Sequence, residues 1–333
     1  MIEFQKRLYE KEEYDYPTKE FIPFIHGYLY EDMEKRPAVI IVPGGGYGFV
    51  SPTEGENVAL HFYKMGYQAF VLTYTTNYME SKSLLWQPLE DLSRALYHIR
   101  SNNEEYKVIY NQIALVGFSA GGHLAMSLAV HYGRQELSER LNLSREEQNI
   151  LRPDAVILSY PVITAGKYAH EGSFRLLLGD SPSDEMKKLM SLEKQIQAST
   201  PPIFLWHTLV DSVVPVENSI LVAKSCKERD VACELHIYPE GGHGMSIPND
   251  QWAAGDVGNG SYTWEQMYDC YRVYVDEGIQ LPEGAEDIVA SNKEEFYEAM
   301  KRKRREGSID TKPDYEVAKW PSLADAFLKR VWK

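Results

Sequence analysis

The sequence predicts an α/β fold with a mostly parallel central sheet flanked by helices, and three observations predict it. Short β-branched or apolar runs recur along the chain, and most read as continuous rather than alternating, as strands buried on both faces do. Longer amphipathic segments separate them, which calls for right-handed β-α-β crossovers and a three-layer architecture. The run 113–116 leads into Gly117-Phe118-Ser119-Ala120-Gly121 and then into a helix-forming segment, a strand–turn–helix junction with a serine at its tip.

Each element follows in order. The strand-like runs are 38–42, 69–74, 113–116, 155–160, 203–207 and 234–238. The stretch 4–30 is rich in Tyr and Phe and is expected to supply antiparallel edge strands. A first helix begins near Glu54 and carries Val58, Ala59, Phe62 and Met65 at helical spacing. A second carries Leu92, Ala95, Leu96 and Ile99 on one face; a third runs from the serine junction through Leu124, Leu128 and Ala129; a fourth follows Pro215, with Ile220, Leu221 and Ala223. Residues 320–332 read as a terminal helix packed on the sheet through Leu323, Phe327 and Val331. Two stretches fall outside this pattern: 133–152 is polar and helix-prone, and 250–312 is acidic and aromatic, ending in Lys301-Arg302-Lys303-Arg304-Arg305. Glu294, Glu295 and Glu298 lie one or two turns upstream of that basic run, which makes it a solvated helix end rather than a targeting signal. One domain, 1–333, is expected, with 250–312 inserted into it.

Composition narrows the function classes. With 333 residues, 44% of them hydrophobic and 25% charged, the chain has the material for a sizeable core. A formal net charge of −14 repels phosphate backbones and argues against a nucleic-acid partner. Cys226, Cys233 and Cys270 are few, odd in number and without metal-ligand spacing, which fits a reducing compartment. The start, Met1-Ile2-Glu3-Phe4-Gln5-Lys6-Arg7, has no apolar stretch behind its charges, and the longest aliphatic run is 38–42, whereas a bilayer span needs about 20 apolar residues. The expectation is a soluble cytoplasmic protein with no membrane partner.

The chemistry centres on Ser119. In a nucleophile elbow the serine sits in a strained backbone conformation, and a side chain at either flanking glycine would clash with strand or helix. The helix start behind it favours developing negative charge. Pro43-Gly44-Gly45-Gly46-Tyr47 follows the first parallel strand, where such a fold places backbone N–H donors for an oxyanion; Gly45 and Gly46 are those donors, with Ala120 as the third. A nucleotide-binding loop is disfavoured there, because Gly-Lys-Ser/Thr and Gly-x-Gly-x-x-Gly are both missing. The acid and base must follow in the order Asp/Glu, then His. His123 lies one turn into the elbow helix, His207 lies at a strand end before the acid, and His236 lies inside a strand. His243 sits in Glu240-Gly241-Gly242-His243-Gly244, past the last strand, and is the expected base. Asp211, directly after the strand 203–207, is the expected acid; Glu217 and Glu240 are weaker stand-ins. No metal or cofactor is required.

Taken together, the glycine loop 43–47, Gly117-Phe118-Ser119-Ala120-Gly121-Gly122-His123, Leu158-Ser159-Tyr160-Pro161-Val162-Ile163, Trp206-His207-Thr208 with Asp211 and Val214-Pro215, and Gly241-Gly242-His243-Gly244 resemble the bacterial carbohydrate acetyl esterases, acetylxylan-esterase-like members of the α/β-hydrolase superfamily. The likeness runs from about residue 37 to 244 and resumes near Trp320. Two features depart from it: Pro43 stands where lipase-type relatives carry His, and the insertion 250–312 follows the base. That insertion is a candidate lid over the pocket or an interface between copies of the chain. The resemblance implies an acyl-enzyme serine esterase removing a short acyl group, acetyl, from a xylo-oligosaccharide or similar sugar. Rival readings are a prolyl-oligopeptidase-like peptidase, a kynurenine-formamidase-like amidase and a catalytically silent binding protein. The stretch ahead of residue 38 is too short for the large extra domain such peptidases carry.

Overall fold

The computed structural model describes residues 1–15, 20–78, 82–144, 147–256, 258–281, 286–307 and 312–333, without the side chains of 304–307. Eight strands form one sheet: β1 (Ile2–Arg7), β2 (Phe24–Leu29), β3 (Arg36–Val42), β4 (Gln68–Thr73), β5 (Val108–Phe118), β6 (Ala155–Ser159), β7 (Ile203–Thr208) and β8 (Cys233–Tyr238). Their order is β1-β2-β4-β3-β5-β6-β7-β8. β1 and β2 pair antiparallel at the edge and β2 pairs antiparallel with β4; every other pair is parallel. The α/β fold with a mostly parallel sheet is therefore what the chain adopts, and the edge strands come from 4–30 as expected. β5 begins five residues ahead of the run 113–116, and the polar pair Asn111-Gln112 with exposed Tyr110 separates its first residues from that run.

The helices are α1 (Glu56–Lys64), α2 (Gln87–Ser101), α3 (Ser119–His131), α4 (Gln135–Arg140), α5 (Glu171–Leu178), α6 (Asp184–Leu189), α7 (Glu217–Glu228), α8 (Asp250–Ala253), α9 (Glu265–Glu277), α10 (Lys293–Gly307) and α11 (Trp320–Val331). Strand pleating sends neighbouring residues to opposite faces. In β3, Ile40 joins a core with Leu92, Leu96, Leu124 and Leu128, while Ile41 joins one with Val58, Phe62, Trp320 and Phe327. These are the two helical layers, and the terminal helix docks through Trp320, Ala324, Phe327 and Leu328, with Leu323 and Val331 half-buried. In α7 the buried face is Asn218, Ser219, Val222 and Cys226, and Ile220 is exposed. Its packed side mixes Val222 and Cys226, which join the core, with polar groups: Asn218 Oδ1 accepts the N–H groups of Ile163 and Thr164 at 2.9 and 3.1 Å. α5 and α6 lie in a stretch where no helix was predicted.

The insertion after β8 has a core of its own, with Trp264, Met267, Tyr271, Ile288 and Phe296 packed together. It docks on β2 and on the segment that follows β4. The Gln266 carboxamide makes three hydrogen bonds to Thr76, just past β4, at 2.9, 2.9 and 3.0 Å, and Tyr262 stacks on His26 at 4.3 Å. Lys301 pairs with Glu298 at 3.0 Å and Lys303 with Asp287; the Arg304 and Arg305 side chains lie outside the described residues. No helix among the described residues is long and apolar enough to cross a membrane.

Candidate active site

β5 runs into α3 without a linking residue, and Ser119 at the junction has φ 51°. A non-glycine residue held there costs about 1–3 kcal/mol, so the surroundings must enforce it. They do so through close packing. A Cβ on Gly121 would stand 2.1 Å from the Val42 carbonyl oxygen, and one on Gly117 would stand 2.6 Å from the Gly121 oxygen. Both glycines are required for strand, turn and helix to approach this closely.

The three residues expected to act together do meet. His243 Nε2 is 2.8 Å from Ser119 Oγ, and His243 Nδ1 is 2.7 Å from Asp211 Oδ2. A carboxylate can only accept, so Nδ1 carries the proton and Nε2 is left to accept from the serine hydroxyl. Asp211 closes a turn after β7: its Oδ1 accepts the N–H groups of Val213 and Val214, each at 2.9 Å. Its side chain is fully buried, whereas that of His243 is 17% exposed, so the relay opens to solvent from its serine–histidine end. Burial alone would raise the Asp211 pKa; hydrogen bonds from His207 and His243 outweigh it and hold the carboxyl well below the usual range. Glu217 opens α7 and Glu240 is exposed; among the described residues neither is hydrogen-bonded to His243.

The glycine loop leaves β3 through three left-handed residues in succession, Gly45 (φ 118°), Gly46 (φ 63°) and Tyr47 (φ 64°). It lies against the elbow: a Cβ on Gly44 would be 2.8 Å from the Ser119 Cβ. The Gly45 carbonyl accepts the N–H groups of Gly48 and Phe49 at 2.9 and 3.2 Å, which folds the loop back on itself. Among the described residues, the N–H groups of Gly45, Gly46 and Ala120 have no protein acceptor. Three unpaired donors near a serine hydroxyl suit a developing oxyanion.

The other histidines have different partners. His123 is buried between the Tyr47 hydroxyl (2.8 Å) and the Met190 carbonyl (3.0 Å), and burial pushes its pKa down to about 4, so it is a neutral strut for the glycine loop. His236 pairs with Glu234 at 2.8 Å. His207 was set aside as a base for its position in the strand, yet it belongs to the site. Its Nε2 lies 2.9 Å from the Val214 carbonyl and 3.4 Å from Asp211 Oδ2, while its Nδ1 is 2.8 Å from the Ser219 hydroxyl. Nε2 faces two acceptors, so it carries the proton and Nδ1 accepts from Ser219. Two further residues, Glu54 and Tyr160, carry no site role in the sequence reading; their hydroxyl–carboxylate bond is 2.8 Å, beneath the glycine loop. Glu54 read as a helix-start acid, and only its long-range contacts show otherwise.

Comparison with known proteins places this geometry in a family. The BD-FAE family matches residues 28–225. The chain is 44% identical over 266 residues to endo-1,4-beta-xylanase B of Butyrivibrio fibrisolvens, covering 79% of this chain and 41% of that protein. It is 29% identical over 216 residues to an acetylxylan esterase of Xylanibacter ruminicola, covering 63% of this chain and 41% of the relative. The chain thus spans about two fifths of the length of these curated relatives. Among solved structures, the acetyl ester-xyloside bifunctional hydrolase of Caldicellulosiruptor lactoaceticus superposes with a TM-score of 0.66 at 34% identity, covering 83% of this chain and 96% of that one. By the span of the family match and by this structural relative, the chain is an α/β-hydrolase that belongs to the BD-FAE family.

Proposed function

We propose that the chain is a serine carboxylic ester hydrolase that removes acetyl groups from xylo-oligosaccharides or similar sugars through an acyl-enzyme. The observation that carries this reading is the unbroken relay from Ser119 through His243 to Asp211 at the tip of a strained elbow. His243 takes the Ser119 proton as Oγ attacks the ester carbonyl carbon. The N–H groups of Ala120, Gly45 and Gly46 hold the oxyanion. The tetrahedral intermediate collapses, the C–O bond to the sugar breaks, and His243 gives its proton to the departing alcohol. Water then attacks the acyl-enzyme by the same sequence and releases acetate. Every step uses groups of this chain, so the mechanism calls for no metal or cofactor.

The sugar and the acetyl group rest on the relatives, two of which are named for acetyl esters and all three for xylan or xyloside chemistry. A glycosidase reading for this centre has less support. Glycoside cleavage needs two carboxyl groups flanking the bond, about 5–10 Å apart. Asp211 and Glu54 are buried, and each carboxylate oxygen already has a hydrogen-bond partner. An ester or amide carbonyl is the group this site suits.

A screen of acetylated xylo-oligosaccharides, 4-nitrophenyl acetate, a proline amide and N-formylkynurenine, with Ser119→Ala as control, tests the reading. Turnover of the acetylated sugars and the aryl acetate by wild type alone is expected. Equal rates for wild type and variant, or turnover of the amides only, would overturn it.

A further inference from the structure

Glu54 is a buried carboxyl group at the glycine loop that the mechanism leaves unused. It ends the short turn Pro52–Glu54 between the glycine loop and α1, and it is 3% exposed. Its Oε2 accepts the Gly44 N–H at 2.8 Å, and its Oε1 lies 2.8 Å from the Tyr160 hydroxyl. That hydroxyl also accepts the Ser246 N–H at 3.0 Å. An amide N–H can only donate, so the phenol proton is free to point at Glu54. Both carboxylate oxygens are then acceptors, which is the bonding pattern of the ionised form. Burial pushes its pKa up; the hydrogen bonds from Tyr160 and Gly44, and the nearby His243, oppose that rise.

The chain Gly44–Glu54–Tyr160–Ser246 joins two loops across separations of 10, 106 and 86 residues. One loop carries the N–H groups of Gly45 and Gly46; the other carries His243, three residues before Ser246. The Tyr160 ring stands against the His243 ring at 4.8 Å and 64°. Trp320 Nε1 donates to the Ser246 carbonyl at 2.6 Å and fixes the far end. Tyr160 (φ 37°) and Ser246 (φ 42°) both occupy the left-handed region, which persists only where surrounding contacts hold it. Strain, burial and polar bonding thus converge on one path that touches Ser119, His243 and the glycine loop together.

We infer that Glu54 is a positioning residue for acyl transfer, whose carboxylate sets the spacing between the oxyanion-binding N–H groups and the His243 imidazole. It acts through Gly44 and Tyr160 and does not touch the substrate. The inference rests on the hydrolase reading above. An amide at this position keeps the volume but has one acceptor oxygen, so its NH2 meets either the Gly44 N–H, donor against donor, or the Tyr160 oxygen, whose own proton must then turn away and lose its acceptor. The loop then shifts, and the transition state loses more than the bound ester does.

The test measures Glu54→Gln, Tyr160→Phe and the double variant on 4-nitrophenyl acetate, beside wild type and Ser119→Ala, with thermal unfolding recorded for each. Glu54→Gln is expected to lower kcat about 100-fold, the loss typical of a misplacement of about 1 Å, with little change in KM. The double variant is expected to lose far less than the product of the two single losses, because both cut one path. A folded Glu54→Gln with wild-type kcat, or a double variant showing the full product, overturns the inference. Should Glu54→Gln fail to fold, Tyr160→Phe decides, and an unchanged kcat there overturns it. A wild type that turns over no ester while folded sinks the hydrolase reading itself, an outcome distinct from active wild type with active variants.

Discussion

The two sides of the site at Ser119 are held in opposite ways. On the acid–base side, Asp211 and His243 follow β7 and β8 and grip each other directly. Donors surround the acid: His243, His207 and the N–H groups of Val213 and Val214. The result is a carboxylate kept ionised far below neutral pH. On the glycine-loop side, the carboxylates lie beneath the backbone, and burial drives their pKa values up. Glu54 holds Gly44. Asp91 holds the Thr75 N–H at 2.8 Å, and two residues on the Asn77 N–H donates to the Tyr47 carbonyl at 2.7 Å. The lesson is one of purpose. Charge is stabilised where an imidazolium must form, and tolerated where backbone must be kept still.

The largest effect expected from breaking this contrast is at Asp211. In Asp211→Asn an NH2 group faces His243 Nδ1 and favours the wrong tautomer, so kcat on 4-nitrophenyl acetate should fall about 10⁴-fold in a folded protein. A loss below about tenfold would mean that His243 does not depend on this acid. His207→Ala removes one donor from a carboxylate that keeps others, and a drop in kcat of about tenfold is expected, the equivalent of one charged hydrogen bond. No change would make His207 a core residue without influence on the relay.

The effect that touches stability rather than rate, and sharpens the comparison, concerns pH. Burial raises the Asp91 pKa to about 6, against hydrogen bonds from Thr75, Tyr9 and Gln87. Its folded pKa exceeds the unfolded value of about 3.9, so its contribution to stability is fully present below about pH 4 and is lost as pH rises through 6. Urea unfolding between pH 4 and 7 should show wild type losing up to about 3 kcal/mol relative to Asp91→Asn across that window. Parallel stability profiles for the two proteins would show that Asp91 titrates as an ordinary carboxyl. Asp211 has the opposite sign: its depressed pKa contributes stability above the unfolded value, lost only on acidification.

How far the site is legible from sequence follows the same division. Ser119, His243, Asp211 and the glycine loop lie where short-range rules act. Glycines must flank a strained serine, and chemistry sits on loops at strand ends, so the motifs name themselves. The buttresses do not. Tyr160 and Glu54 are 106 residues apart, and nothing local distinguishes Glu54 from an acid at a helix start. His207 reads as one more residue of a buried strand until its two nitrogens are traced. The fold shows the same limit. The continuous apolar runs of β3 and β6 are plain, whereas β1 is exposed at nearly every position, and α7 packs by Asn218 and Ser219 beside Val222 and Cys226 while Ile220 faces outward. The insertion 250–312 stands out by composition, yet its docking at Thr76 depends on one glutamine side chain.

Labelling with a fluorophosphonate probe tests the central claim most directly. The account predicts that folded wild type is labelled once, that peptide mass spectrometry places the adduct on Ser119, and that Ser119→Ala is not labelled. Folded wild type left unlabelled, or an adduct on another residue that persists in Ser119→Ala, would contradict it.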